Sequence, residues 1–199
     1  MCGRFEMGIN PKEFLLELQS LFDVITIEKL DDKNAKYNIA PTQKVLTLIK
    51  SDNSFNLKLM NWGIKFSPSS PLIFNSRIET IKEKSFWFKL FSKNRCLVPM
   101  TGFYEWKKEG NKKQPYKINL KNEPLFFVPA LFHQTKDDYY ASLITTTPNN
   151  FIQPIHHRMP VIFRKEEALN YFTQNAEYNL AHCLPLNDTI PMLMQPVSI

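Results

Sequence analysis

A cysteine at position 2 is the residue in this sequence best placed for covalent chemistry. A methionine followed by a small residue is a good substrate for initiator removal, and loss of Met1 leaves a chain that begins with cysteine. Such a terminus carries two nucleophiles on adjacent carbons. The α-amine has a reference pKa of about 7.7 to 8.0 and the thiol about 8.5, so both keep a reactive fraction near neutrality. An aldehyde condenses with the amine to an imine, and the thiol closes on it to a five-membered thiazolidine that resists hydrolysis better than the open imine. Position alone also fits an incidental cysteine. Cys96, in an apolar strand pattern, and Cys183 read as inert, packed thiols.

The other candidates fall in four apparent loops or strand ends: Asn38 in YNIAPT, Asn75 to Thr80 in NSRIET, Glu105 in GFYEW and His156 in IHHRMP. Glu105 beside Trp106 can be desolvated, and His156 is the natural proton carrier. Arg77 has two uses, pairing with Glu79 or binding a phosphate, and Arg158 can likewise anchor a loop. Three cysteines and four histidines are enough ligands for a metal, but none show zinc-knuckle or HExxH spacing, so no metal and no cofactor are expected. A thiol hydrolase, with an imidazole activating Cys2 to cleave an amide, stays open at this level.

The elements that must position these groups are mostly strands. A helix starts at Asn10, which caps it; Pro11 suits the first turn, Glu13 sits at the capping-box position, and Phe14, Leu15, Leu18, Leu21 and Phe22 recur at helical spacing. Val45–Ile49 and the alternating Phe55, Leu57 and Leu59 predict a hairpin across SDNS. A short helix is expected over Lys82 to Phe91, with strands at Cys96–Val98, Tyr116–Leu120, LFFVPALF, YYASLITT and Val161–Phe163. A last short helix is expected over Lys165–Phe172.

The chain has 199 residues, 43% of them hydrophobic and 22% charged, which fits one domain with one core. Fourteen prolines against five glycines disfavour a helical bundle or a regular βαβ array, and no phosphate-cradling glycine loop can be assembled. No apolar run approaches the length of a membrane span and the amino terminus lacks a secretory pattern. The odd cysteine count fits a reducing compartment, so a cytoplasmic or nucleoid-associated protein is expected. The net charge of +6 permits attraction to a polyanion.

Taken in order, MCGRF, YNIAPT, Trp62-Gly63, NSRIET, RCLVP followed by GFYEW, KQPY, LITT and IHHRMPVI resemble the SOS-response-associated peptidase (SRAP) family over about residues 1 to 172. The resemblance implies an α+β fold: a single irregular β-rich domain over residues 1–199, with a barrel-like core and peripheral helices. It further implies sensing of abasic sites in single-stranded DNA through a covalent DNA–protein cross-link on the N-terminal cysteine. On that basis Cys2 is the nucleophile and Asn38 helps order the site around it. Asn75 and Arg77 hold the sugar-phosphate, Glu105 is the acidic catalyst, and His156 serves Schiff-base and strand-cleavage steps, while His157 takes the variable place.

A basic channel with apolar surfaces would follow from Arg4, Arg77 and Arg158 together with Trp62, Trp106, Pro99 or Met100. One threonine of LITT, Thr145 or Thr146, is placed at the lesion or the histidine; Thr146 is carried among the DNA contacts. The sequence departs from the family pattern in WGIKFSPS, which lacks a second tryptophan, and in Met100 and Pro148, where alanine is usual. An abasic-site cross-linking enzyme with associated lyase activity is the expectation. A cysteine-type peptidase and a noncovalent single-stranded DNA binding module are the alternatives. A monomer without a membrane or an obligate protein partner is expected.

Overall fold

Runs of alternating and fully apolar residues from Val45 onward build a closed five-stranded ring. The computed structural model describes residues 2–22, 25–27, 36–51 and 54–199. In chain order the described elements are β1 (Arg4–Met7), α1 (Pro11–Leu21), β2 (Ile25–Ile27), β3 (Lys36–Ile39), β4 (Lys44–Ser51), β5 (Ser54–Trp62), β6 (Asn75–Arg77), α2 (Ile78–Glu83) and α3 (Ser85–Lys93). They continue with β7 (Arg95–Met100), β8 (Gly102–Glu109), β9 (Lys112–Leu120), β10 (Phe126–Gln134), β11 (Tyr139–Thr146), β12 (Met159–Pro160), α4 (Lys165–Thr173), α5 (Ala176–His182) and β13 (Met192–Pro196). Strands β11, β10, β7, β4 and β5 lie side by side, and a parallel β5–β11 pairing at Asn61–Tyr140 and Trp62–Ala141 closes the ring. The architecture is α+β with a barrel-like core.

A second sheet, in the order β13, β9, β8, β1, β3, lies beside it and carries the amino-terminal strand. β1 runs antiparallel to β8 with Arg4 opposite Tyr104, Phe5 opposite Phe103 and Glu6 opposite Gly102. Phe5, Trp62, Phe103, Phe126 and Phe127 are fully buried in one core. At fully buried side chains of this size each contributes on the order of 2 kcal/mol of hydrophobic stabilisation.

The helix at Asn10 forms as its sequence predicts, with the Asn10 side chain accepting a hydrogen bond from Lys12 N at 2.9 Å and Phe14 and Leu18 buried. The predicted hairpin is β4–β5; Asp52 and Asn53 of its turn lie outside the described residues, as does Met1. Where one helix is expected over Lys82 to Phe91 there are two, broken at Lys84, whose backbone is extended at φ −106°, ψ 113°. The break lets Ile78 and Ile81 of α2 and Phe91 of α3 all reach the core. The strand expected at Val161–Phe163 instead falls at Met159–Pro160, and Phe163 makes only an isolated bridge to Phe127. GFYEW is no loop: it opens β8, flanked by β1 on one side and β9 on the other. No helix among the described residues is long and apolar enough to cross a membrane.

Candidate active site

The amino-terminal segment is held from both sides of its strand. Asn75, the first residue of β6, donates from Nδ2 to the Cys2 carbonyl at 2.9 Å. Arg4 donates from Nη1 to Asn38 Oδ1 on β3 at 2.7 Å. Two residues on, the buried Glu6 accepts from Tyr104 Oη at 2.7 Å and from Thr101 Oγ1 at 3.1 Å and pairs with Lys117 at 2.7 Å. A carboxylate removed from water needs such a complete set of partners. The result ties β1 to β8 and β9 and fixes the direction in which Cys2 leaves the sheet.

Cys2 has no exposed surface, and its Sγ lies 3.6 Å from the Arg4 carbonyl, to which it donates. Burial, helped by the nearby Glu105 carboxylate, pushes its thiol well above the ordinary range. Glu105 lies in β8 and is only 2% exposed. Burial raises its carboxyl to about 7, against the opposing charge of the chain's amino terminus and a hydrogen bond from the Trp106 backbone. A carboxyl poised there can both give and accept a proton at neutral pH.

His156 follows a turn that begins at Asn149, whose side chain accepts from Ile152 N at 3.0 Å and donates to the Leu186 carbonyl at 3.2 Å. Its Nδ1 lies 3.1 Å from both the backbone N and the carbonyl of Arg158, and with the ring proton on Nδ1, donated to that carbonyl, Nε2 is the nitrogen able to accept one. Burial, and next the charge of the amino terminus, lower its pKa, so the ring is neutral at pH 7.

Arg158 is buried, and its guanidinium forms a bidentate pair with Glu79 at 2.9 Å and 2.9 Å and donates to the Thr145 carbonyl at 2.7 Å. It anchors the histidine turn to α2 and β11, which corrects its assignment as a phosphate contact. Arg77, by contrast, is exposed at the N-cap of α2. Trp106 is half-buried and keeps open surface.

Four further candidates are buried. Trp62 is fully buried, donates from Nε1 to the Phe74 carbonyl at 2.8 Å and packs edge-on against Phe5. Pro99 and Met100 are buried in β7 opposite Phe127 and Phe126, and Thr146 is buried in β11 opposite Met159. Gly63, after Trp62, adopts φ +124°, and a Cβ there would meet Leu72 at 2.6 Å, so only glycine fits. Sequence reasoning missed Glu6, Tyr104 and Lys117. It also missed the partner of Glu79, since pairs so distant in sequence leave no periodic signal.

The chain is 32% identical to the abasic site processing protein YoaM of Bacillus subtilis, with 93% of this chain and 86% of that protein covered. It is 28% identical to the abasic site processing protein YedK of Escherichia coli, with 94% and 89% covered. A crystal structure of a protein from Bacteroides thetaiotaomicron superposes with a TM-score of 0.78 at 24% identity, covering 99% of this chain and 92% of that one. One from Bordetella bronchiseptica superposes with a TM-score of 0.80 at 14% identity, covering all of both chains. The model of the family described as SOS response associated peptidase (SRAP) matches residues 1–198, so this chain, with its buried cysteine held by Asn75 beside Glu105, belongs to the SRAP family.

Proposed function

We propose that this protein captures abasic sites in single-stranded DNA by forming a thiazolidine on Cys2, with strand-cleaving lyase chemistry as a branch of the same imine. The observation that carries the reading is the buried Cys2, whose carbonyl Asn75 holds at 2.9 Å and whose thiol feels the charge of the buried Glu105 carboxyl. The printed names of the relatives, abasic site processing proteins, agree with it.

The steps balance with loss of one water. Removal of Met1 frees the Cys2 amine. Glu105 in its acid form protonates the ring oxygen of the abasic sugar, the bond from C1′ to that oxygen breaks, and the C1′ hydroxyl releases its proton to water, leaving the aldehyde. The amine adds to C1′ and water leaves, giving the imine. Sγ then bonds to C1′ and the thiol proton ends on nitrogen, closing the ring. Neutral His156 takes a proton in the competing elimination that breaks the strand. Asn38 holds Arg4 beside the terminus, and Arg4, Arg77 and Trp106 are the groups on which phosphates and a base rest. A peptidase would need a readily ionised thiol, and burial works against that at Cys2.

The test is intact mass spectrometry after incubation with a single-stranded oligonucleotide bearing one abasic site. Undamaged DNA and Cys2→Ala serve as controls. An adduct of the DNA mass minus water on des-Met Cys2 is expected; verified abasic DNA that leaves Cys2 unmodified sinks the proposal.

A further inference from the structure

Phe66, Phe86, Trp87 and His133 form an aromatic cluster that reaches from the edge of the core, against which Trp87 packs, to the surface, and that the lesion chemistry does not use. Phe66 lies 5.2 Å from Phe86, 5.8 Å from Trp87 and 5.4 Å from His133, centroid to centroid, and Phe86 lies 5.6 Å from Trp87. The three contacts among Phe66, Phe86 and Trp87 are close to perpendicular. Phe66 is 41% exposed and Phe86 56%. Burial does not explain Phe86, because α3 is anchored in the core through Phe91. Contiguous exposed aromatic surface of this kind marks a binding site more often than a lone exposed side chain does.

The cluster is built before any ligand arrives. Ser70 Oγ accepts from both Phe66 N and Ser67 N at 3.1 Å, and Ser70 N returns a bond to the Ser67 carbonyl at 3.1 Å, which fixes the loop carrying Phe66. A ring already held in place loses little entropy on binding. The surrounding sequence is basic: from Lys65 to Arg95 there are seven lysines and arginines against Glu79 and Glu83. Lys65 and Lys84 are exposed immediately beside Phe66 and Phe86. Arg77 joins this surface to the candidate site, because only the six-residue helix α2, about 9 Å long, separates it from the segment holding Phe86.

We propose that this cluster is a stacking platform for unpaired bases of the same DNA strand, beyond the nucleotide held at Cys2. The inference rests on the proposed function and extends its DNA path. Exposed aromatic faces among lysines suit single-stranded nucleic acid, since every base offers a π-face and every linkage a negative charge. A second copy of the chain fits poorly, because a two-fold contact here would set Lys65 and Lys84 against their own likes.

The test measures binding of undamaged oligothymidylates of about five and about fifteen nucleotides, lengths that bracket common single-strand site sizes. Wild type is compared with Phe66→Ala/Phe86→Ala and Phe66→Leu/Phe86→Leu, each checked for an unchanged melting temperature. Both double variants are expected to bind the longer strand about tenfold more weakly or worse, and the shorter strand as wild type does. Leucine variants that bind as wild type would show that apolar area suffices and would overturn the platform. Equal affinities at both lengths for all three proteins would do the same, as would a wild-type dimer that the alanine variant dissociates. At saturating abasic DNA the alanine variant still cross-links at Cys2. If wild type forms no adduct while the length-dependent loss persists, the covalent proposal fails and the platform stands.

Discussion

Replacing Glu105 by glutamine should make the protein more stable and less active, with a pH signature that identifies the cause. The carboxyl is buried and its pKa rises from 4.5 in the unfolded chain to about 7 in the fold. Below pH 4.5 the group is protonated in both states and its titration costs nothing. Between 4.5 and 7 the folded protein holds a proton that the unfolded chain has released, so stability falls as pH rises, and above 7 the full penalty is present. A difference of that size amounts to about 3 kcal/mol. Glutamine keeps the shape and removes the charge. Urea unfolding of wild type and Glu105→Gln across pH 4.5 to 8 should therefore give curves that coincide at the acid end. They should separate to about 3 kcal/mol in favour of the variant at pH 8, while cross-linking falls at least about a hundredfold as general acid–base help is lost. A gap that stays constant with pH, or that opens toward acid, would refute the assignment of Glu105 as a desolvated, proton-holding carboxyl.

Cys2→Ser should retain the amine and lose the thiol, so borohydride should trap an imine adduct while the adduct without reductant disappears on denaturation; a durable serine adduct would rule out thiol closure. Iodoacetamide at pH 8 should alkylate Cys2 at least about tenfold more slowly in the native protein than in urea, by peptide mass mapping, because burial removes access and raises the thiol's pKa. Glu79→Ala should cost about 2 kcal/mol in urea unfolding by stranding the buried Arg158 guanidinium. It should also move the NMR-detected titration of His156, and an unchanged titration would mean that the pair does not position the ring. Burial works to raise the Glu79 carboxyl, but hydrogen bonds from Arg158 outweigh it and leave the pKa lowered. The stabilising pair is therefore complete above the ordinary carboxylate range and lost as pH falls through the lowered value, so wild type and Glu79→Ala should converge in stability toward acid.

Two kinds of element were legible in the sequence: α1 and the β4–β5 hairpin show their periods because burial changes along them, and Asn10 marks the start of its helix, whereas β10 and β11 show as long apolar runs that stay buried. β8 begins with four consecutive buried residues between β1 and β9, so it offers no alternation, and GFYEW reads as a loop. The short strands β1, β3 and β6 contain too few residues for any period to emerge. At the site, motifs pointed to Cys2, Asn75, Glu105 and His156 but not to the direction of each side chain. Trp62 and Met100 are as aromatic or apolar as a base-stacking residue must be, yet they are equally suited to the core, and only the closing of β5 on β11 for Trp62 and the pairing of β7 with β10 for Met100 bury them.

That burial also bears on the nucleophile itself. A thiol held well above its ordinary pKa has a very small thiolate fraction at neutral pH, which would disable an enzyme that must attack a freely diffusing partner. In the proposed sequence the amine acts first, and the thiol then closes on a carbon already bonded to its own residue. Well-oriented intramolecular steps of this type reach effective molarities of roughly 10⁵ M and more, which can offset several decades of lost ionisation. Glu105, poised near 7, can take the thiol proton as the ring closes, so no standing thiolate is required. Keeping the thiol neutral until an imine forms then serves a purpose: Cys2 is protected from oxidants and alkylating agents, whose attack depends on thiolate, and reserved for a partner the amine has already caught.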